Sequence, residues 1–390
     1  MSNYFERAKT IQHETIANRR QIHANPEIGM ELPKTAEFVM EKLTEMGIKV
    51  EKCGTSGVTG LIGGQNGGKV VLLRADMDAL PMAENSGLPF SSTGNMAHTC
   101  GHDTHTAMLL SAAKLLKEDE ANLKGTVKLM FQPGEEVLAG AFNMVENGLL
   151  ENPKVDYAVG LHVSAKCKTG KIQWNSGPLS ASSDGLSFNI TGKGGHGASP
   201  QNSIDPINAG VHLYLAMQEL ISREVDPKEM VVITFGKFIS GDALNIIPEK
   251  ALLSGTMRTF NKEVRNYLID RIKEICESVG KTYRVNIEFE SAMATLPMMV
   301  NKGVTEIVSK ALEAAFDGEF LDPAMPAMTG SEDFSEVLDR VPGMFFFLGS
   351  GGPEEGYNFG AHHPQVMYNE DCFPYGIAAY CIAANALMNN

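Results

Sequence analysis

Three apolar segments of the chain have the composition of buried β-strands, and each is followed by side chains that can bind metals. The pairs are Lys69–Ala75 with Asp76 and Asp78, Thr126–Phe131 with Glu135 and Glu136, and Val155–Leu161 with His162. Continuous apolar runs of this kind are typical of central strands that are covered on both faces. In open α/β sheets, sites form outside the carboxyl ends of parallel strands. The sequence therefore predicts that these side chains meet at one edge of a parallel sheet.

A further group of candidate ligands lies between the first two strands. Residues 98–105 read His-Thr-Cys-Gly-His-Asp-Thr-His, and an apolar run with helical composition follows directly. Cysteine and histidine bind borderline-soft divalent metals, and one flexible glycine separates Cys100 from His102. We place the segment on a loop that enters a helix N-terminus, whose dipole helps to hold Cys100 as a thiolate. One Cys-Gly-His can be accidental, so the metal-site prediction depends on ligands from elsewhere in the chain.

The candidate metal ligands number five once a C-terminal histidine is included. They are Cys100, His102, Glu136, His162 and one member of the pair His362–His363. Because a structural zinc ion is normally closed by four ligands, five donors suit two ions better. Two neighbouring ions can bind both the attacking hydroxide and the substrate carbonyl oxygen, and we expect a thiolate or a carboxylate to bridge them. Each histidine taken alone has the plainer interpretation of a hydrogen-bonded core or surface residue.

Other acidic and imidazole groups near these ligands have separate expected roles. Glu136 can ligate while its neighbour Glu135 acts as a general base, with a solvated acidic turn as the alternative. Asp76 and Asp78 can orient a ligand histidine through its second nitrogen, with strand-end capping as the alternative for Asp76. We expect His105 to form hydrogen bonds beside the site.

Composition and charge exclude several classes of protein. The 47 acidic residues against 33 basic ones give a formal net charge of −14, which argues against nucleic-acid binding. No stretch approaches the ~18 apolar residues of a membrane span, and the first residues lack an apolar signal core. The six cysteines contain no CxxC pair, which fits reduced thiols. We therefore expect a cytoplasmic protein without a membrane segment.

The pattern of the chain changes near residue 183, and its 390 residues are enough for two domains. From 183 to 292 the predicted elements follow as βαββαβ, the order of a ferredoxin-like split βαβ unit. We expect a catalytic domain formed by residues 1–182 and 293–390, with an inserted domain at 183–292. The glycine-rich loop 192–197 lacks the spacing of phosphate-binding loops, so we interpret His196 as a residue on a flexible loop that reaches a substrate.

Five motifs, in their order along the chain, resemble those of the M20 metallopeptidase superfamily. They are residues 74–81 (RADMDALP), 98–105 (HTCGHDTH), 131–136 (FQPGEE), 160–162 (GLH) and 330–334 (GSEDF). More narrowly, the chain is similar to the amidohydrolase branch, which contains hippurate hydrolases, N-acyl amino acid deacylases, N-acetyldiaminopimelate deacetylases and plant auxin-conjugate hydrolases. The resemblance extends from Arg19 to the last predicted helix.

The resemblance implies an α/β fold in which a metal-dependent exopeptidase-type catalytic domain has a mixed, largely parallel central sheet. The insert would be a ferredoxin-like α+β lid and dimerisation domain, which implies a homodimer or a larger assembly. Two divalent ions are implied, with zinc or manganese first and cobalt or nickel as alternatives. The ligands that the family's motifs imply are Cys100 as the bridge, His102, Glu136, His162 and His362.

The same resemblance implies roles in catalysis. Glu135 would be the general base, and His196 would polarise the scissile carbonyl, often across a dimer interface. Asn245 and Arg258 would hold the substrate carboxylate. The activity implied is hydrolysis of the amide bond of small N-acyl amino acids by metal-activated water. The alternatives are a dipeptidase or aminoacylase of another M20 branch and a metal-binding homologue without activity.

Overall fold

The structure, a computed structural model, describes residues 3–65 and 67–390, and the chain divides into two compact units. The first unit comprises the residues up to Gly177 together with Met299–Pro326 and Asp333–Asn390. The second unit comprises Pro178–Met298 and Ala327–Glu332. The domain boundaries expected from the sequence, at residues 183 and 292, stay a prediction beside this division.

The α-helices of the described residues are, in chain order, α1 (Tyr4–Thr10), α2 (Gln12–His23), α3 (Pro33–Glu45), α4 (His102–Glu118), α5 (Gly140–Glu146), α6 (Pro206–Glu219), α7 (Lys262–Tyr283), α8 (Lys302–Glu313), α9 (Ser335–Leu338) and α10 (Phe373–Met388). The strands are β1 (Lys49–Cys53), β2 (Gly57–Gly63), β3 (Val70–Asp76), β4 (Thr126–Gln132), β5 (Tyr157–Ser164), β6 (Ile172–Gln173), β7 (Gly177–Ser180), β8 (Ser183–Thr191), β9 (Gly195–His196), β10 (Val231–Ser240), β11 (Ile246–Ile247), β12 (Lys250–Thr259), β13 (Asn286–Thr295), β14 (Met298–Val300), β15 (Leu321–Asp322) and β16 (Gly343–Gly349).

An eight-stranded sheet forms the centre of the first unit, in the order β1-β2-β4-β3-β5-β16-β6-β15. Strand β3 pairs in parallel with both β4 and β5, and β5 pairs in parallel with β16. Strands β1 and β2 add antiparallel pairing at one side. The prediction of a mixed, largely parallel sheet is confirmed.

The central strands are buried along their whole length, as their continuous apolar sequences predict. Every residue of β3, β4 and β16 is buried, and helices α4 and α10 pack against β3 and β5. Asp76 and Gln132 are paired at the ends of β3 and β4. Strand β5 differs from the prediction because it continues past His162 to Ser164. It does so because β16 keeps pairing with it, with Phe347 opposite His162.

The second unit contains an antiparallel sheet in the order β10-β12-β8-β13, and α6 and α7 pack against this sheet. Along the chain these elements follow as β8-α6-β10-β12-α7-β13, which is the order predicted for the insert. Its core includes Phe188, Leu213 and Ile272, one from the sheet and one from each helix. The role of this unit as a lid stays a prediction.

Within the described part of the chain, no helix has both the length and the apolar character that crossing a lipid bilayer requires.

Candidate metal centre

Cys100 and His102 flank the glycine that precedes helix α4. Gly101 has a φ of +91°, in the left-handed region. A Cβ atom at this position would lie 2.5 Å from Val163 Cγ2 and 3.0 Å from Tyr368 Cζ. Both the backbone conformation and the packing therefore require glycine, and the turn that it allows brings two candidate ligands to one helix N-terminus.

Cys100 belongs to two groups of candidate ligands. One consists of Cys100, His102 and His162, and the other of Cys100, Glu136 and His362; in each, the donor atoms lie within 4.8 Å of one another. Cys100 Sγ lies 3.4 Å from His162 Nε2 and 3.3 Å from His362 Nε2. His362 Nε2 lies 3.3 Å from Glu136 Oε1. Since Zn–S and Zn–N bonds are about 2.3 and 2.0 Å, two ligands of one tetrahedral zinc ion lie about 3.5 Å apart. The donor atoms therefore have spacings that fit bound divalent ions.

The environment of His102 also fits a bound cation. Both ring nitrogens are buried and make no hydrogen bond with the residues that the structure describes. Nδ1 lies 3.4 Å from Asp78 Oδ1, and Nε2 lies 3.5 Å from Asp76 Oδ2. Buried polar atoms without partners are uncommon in folded proteins. Coordination would give this imidazole the interaction that its protein neighbours do not.

The Cys100 thiol is held in a setting that disfavours its ionisation. Burial raises the pKa of this thiol well above its usual value, in spite of its place at a helix N-terminus. The stabilisation of the thiolate by the helix dipole, expected from the sequence, stays a prediction. A divalent cation against the sulfur would reverse the balance, because a coordinating thiol is deprotonated outright.

The backbone of Val163 orients two histidines, one through its N–H and the other through its C=O. Its N–H donates to His105 Nε2 at 2.8 Å, so His105 must carry its proton on Nδ1, which donates to Asp76 Oδ1 at 2.5 Å. Its C=O accepts from His162 Nδ1 at 2.6 Å, which leaves His162 Nε2 to face Cys100. Burial lowers the pKa of both imidazoles, so both are neutral. His162 is therefore prepared to ligate, whereas both nitrogens of His105 are already in use.

Asp78 supports the two neighbouring glutamates. It accepts the backbone N–H of Glu135 at 3.0 Å and that of Glu136 at 3.1 Å. Both glutamates lie within ligand distance of His102, but only Glu136 also shares a group with Cys100. Glu135 Oε2 lies 4.0 Å from His102 Nε2, and the residue is 7% exposed. A nearly buried carboxylate beside the donor set is suitably placed for proton transfer.

A buried polar network behind the site was not assigned from the sequence. Arg74 Nε donates to Gln132 Oε1 at 2.9 Å, and Gln132 Nε2 donates to Asp333 Oδ1 at 2.6 Å. Arg74 also lies 2.8 Å from Asp76 Oδ2. Burial alone would raise the pKa of Asp76, but Arg74, His102 and His105 hold it well below its usual value. The available signal was a charged residue inside an otherwise apolar strand, which must find a partner when it is buried.

The structure places the two C-terminal histidines differently. His362 has a φ of +66°, and its N–H donates to the carbonyl of Thr99 at 2.9 Å, which turns its ring toward Cys100. The ring of His363 instead stacks on Phe359 with centroids 4.3 Å apart. Left-handed backbone at a residue other than glycine is strained and concentrates at functional sites.

The other predicted site residues lie in the second unit. His196 pairs with Ile246 between strands β9 and β11, and the N–H of Gly197 donates to the carbonyl of Asn245 at 2.9 Å. His196 and Asn245 are therefore neighbours within this unit. Arg258 lies on β12, where its Nη1 donates to Ser183 Oγ at 2.6 Å.

A family model matches most of the chain. Residues 72–386 match the model described as peptidase family M20/M25/M40. The chain is 36% identical over 363 residues to the N-acetyl-L-cysteine deacetylase of Bacillus subtilis, covering 93% of this chain and 85% of that protein. It is 35% identical over 362 residues to the hippurate hydrolase of Campylobacter jejuni, covering 92% of this chain and 93% of that protein.

Solved structures give the same picture of the fold. The crystal structure of the YXEP protein of Bacillus subtilis, described as a dinuclear metal-binding peptidase from the M20 family, superimposes with a TM-score of 0.82 and 29% sequence identity. The match covers 98% of this chain and 99% of that chain. Both the sheet and the second unit therefore have counterparts in a solved structure.

Proposed function

The chain belongs to peptidase family M20/M25/M40, and from this membership we propose that it is a metal-dependent amidohydrolase that hydrolyses the amide bond of N-acyl amino acids. The relatives named above act on N-acetyl-L-cysteine and on hippurate, which are both N-acyl amino acids. The observation that carries the proposal is the pair of ligand groups that share Cys100, with Glu135 beside them.

The five proposed ligands would divide between two ions. His102 and His162 would hold one ion, Glu136 and His362 the other, and Cys100 would bridge them. We propose zinc or manganese, with cobalt or nickel as alternatives, since thiolate and imidazole suit zinc and carboxylate suits manganese. When bound, the ions would acidify a water molecule and polarise the substrate carbonyl.

The protein side chains would carry the proton and hold the substrate. Glu135 takes a proton from the attacking water and gives it to the leaving amine. His196 donates to the carbonyl oxygen as negative charge develops there. Asn245 and Arg258 hold the carboxylate of the amino acid, for which a guanidinium is well shaped.

We further propose a homodimer through the second unit. Helix α6 exposes four large apolar side chains on one face, at spacings of four, three and one residues, and the edge strand β10 exposes three more. They are Ile207, Val211, Tyr214 and Leu215 on α6, and Val232, Phe238 and Ile239 on β10. Exposed apolar surface of this kind marks interaction sites. The outer edge of β10, which lies at the end of the sheet, favours pairing with a strand of another chain.

A cytoplasmic location is part of the proposal. It is supported by the six cysteines, which are all free in the structure. Free thiols of this number fit a reducing compartment.

The proposed activity is tested by following amine release from a panel of substrates. The protein is stripped with a chelator, each divalent metal is restored separately, and N-acetyl and N-benzoyl amino acids are compared with unmodified dipeptides. We expect metal-dependent release from the N-acyl amino acids. Activity confined to dipeptides would assign the chain to the dipeptidase alternative, and no turnover with any metal would contradict the proposal.

A further inference from the structure

A series of ion-paired side chains crosses the interior of the first unit beside the candidate metal ligands. Arg19 Nε donates to Asp103 Oδ2 at 2.9 Å, and Arg19 Nη1 donates to Glu370 Oε1 at 2.9 Å. The same oxygen of Asp103 also accepts from His23 Nδ1 at 2.8 Å. His23 Nε2 in turn lies 3.1 Å from both carboxylate oxygens of Glu84. The order of charges is Glu370, Arg19, Asp103, His23 and Glu84, with alternating sign.

The three middle members of this series are buried. Arg19 is 1% exposed, Asp103 is 0% exposed and His23 is 4% exposed. Removing one partner of a buried ion pair is strongly unfavourable because it leaves an uncompensated charge. We call these three side chains the buried ion cluster. Because they are paired, displacement of one would displace the others.

The buried ion cluster is joined to the Cys100–His102 turn by one peptide bond. Asp103 directly follows His102, in the first turn of α4. Other contacts also restrain this turn, because Gly101 is tightly packed and Asp76 and Asp78 lie 3.5 and 3.4 Å from the ring nitrogens of His102. The ion pairs of Asp103 add a restraint on the backbone at the residue that follows His102.

The buried ion cluster also contacts the C-terminal segment that carries His362. Arg19 Nη1 lies 3.4 Å from the carbonyl of Tyr368, next to its bond with Glu370. Tyr368 Oη donates at 3.0 Å to the carbonyl of Thr99, the oxygen that also accepts the N–H of His362. The start of α4 and the C-terminal segment, which both supply candidate ligands, are therefore held to the same arginine.

We propose that Asp103, held between Arg19 and His23, is a positioning residue for the metal centre. It fixes the start of α4, so that Cys100 and His102 face the ligands from β5 and from the C-terminal segment without rearrangement. The inference rests on the proposed function, because it assumes that Cys100 and His102 bind metal. A buried ion pair that only stabilises the fold is the alternative.

Cobalt(II) binding to the full-length, metal-stripped protein separates these roles. The thiolate-to-cobalt charge-transfer absorption reports on coordination by Cys100, and its titration gives the metal affinity. In Asp103→Asn we expect the affinity to fall about 10–100-fold, the usual effect of removing a group that orients metal ligands. We also expect an altered absorption band, which a loss of stability alone would not produce.

Asp184→Asn is the matched control. Asp184 is also fully buried and is held by two bonds from Arg265, of 2.8 and 2.6 Å, in the second unit. We expect it to lower the unfolding temperature of the metal-free protein while leaving cobalt affinity unchanged. Wild-type affinity and absorption in Asp103→Asn, or an equal loss of affinity in both variants, would overturn the proposal.

A second variant keeps the test decisive if Asp103→Asn does not fold. His23→Gln preserves the Arg19–Asp103 pair, and we expect a smaller loss of cobalt affinity in the same direction. Unchanged affinity in that variant would also overturn the proposal. If the wild-type protein itself gives no thiolate-to-cobalt absorption, the proposed metal centre is wrong, which is a different outcome.

Discussion

Glu135 and Glu136 receive the same backbone support from Asp78, yet their side chains have different neighbours. Both carboxylates lie 4.0 Å from His102 Nε2, but only Glu136 also shares a group of donor atoms with Cys100 and His362. Adjacent residues with the same ionisable group can therefore take different roles, one as ligand and one as base.

The first prediction separates these two roles. In Glu135→Gln the amide keeps the size of the side chain but cannot take up a proton, so we expect kcat to fall by about 10²–10⁴ while metal content stays at the wild-type level. Metal analysis of the purified protein and a turnover assay measure the two quantities. Glu136→Gln is the comparison, and it should lose metal. Wild-type turnover by Glu135→Gln would remove the assignment of Glu135 as the base.

The second prediction concerns the stability contributed by His23. Burial lowers the pKa of His23, but Asp103 and Glu84 outweigh burial and raise it from 6.5 to about 9. The folded state thus prefers the imidazolium, and this contribution is complete below pH 6.5 and disappears as the pH rises through about 9. We expect the difference in unfolding temperature between wild type and His23→Gln to be largest near pH 6 and to shrink by about pH 9.5. A difference that is constant from pH 6 to 9.5 would contradict a charged His23.

At the scale of secondary-structure elements, the site depends on where strands and helices begin and end. Strands β3 and β4 end together and bring Asp76, Asp78, Glu135 and Glu136 to one edge, as the apolar runs predicted. Strand β5 instead carries His162 within its length, because pairing with β16 continues. The run of apolar residues could not show this, since strand length depends on the neighbouring strand.

The third prediction tests the turn before α4. In Gly101→Ala, the alanine would have to adopt a left-handed backbone conformation, and its Cβ would lie 2.5 Å from Val163. In the control Gly148→Ala, at a φ of +85°, the Cβ would meet no atom within 4 Å. The control should lose about 1–2 kcal/mol of stability from the backbone conformation alone. We expect Gly101→Ala to lose more than the control and to bind less metal, as measured by unfolding and metal analysis. Equal losses would show that packing around Gly101 is not limiting.

At the scale of the whole molecule, the sequence predicted the classes of side chain that the structure brings together around Cys100. The pair His362–His363 was not resolved by spacing, because the choice depends on a left-handed φ and a bond to Thr99. The buried ion pairs of Arg19 were equally hidden, since their partners lie 84 and 351 positions away. Short-range pattern finds strand-end ligands, whereas long-range pairing of charges requires the fold.

The fourth prediction concerns assembly. If α6 and β10 form the dimer interface, Leu215→Glu should convert the protein to a monomer, as measured by light scattering after size-exclusion chromatography. Leu215 is 54% exposed, and Phe142 on α5, at 49%, is a matched apolar residue in the first unit. Phe142→Glu should leave the mass unchanged. A dimer that survives Leu215→Glu would place the interface elsewhere.

The two main-chain bonds of Val163 have a consequence for how this site can evolve and how it can be studied. Their donor and acceptor belong to the peptide unit, so an isoleucine or alanine at 163 would keep both histidines in the same tautomers. Scanning mutagenesis, which trims side chains only, would report the packing of this buried valine and not its two main-chain bonds. Their contribution would emerge only from a change that deletes the amide hydrogen itself, such as proline or a backbone ester.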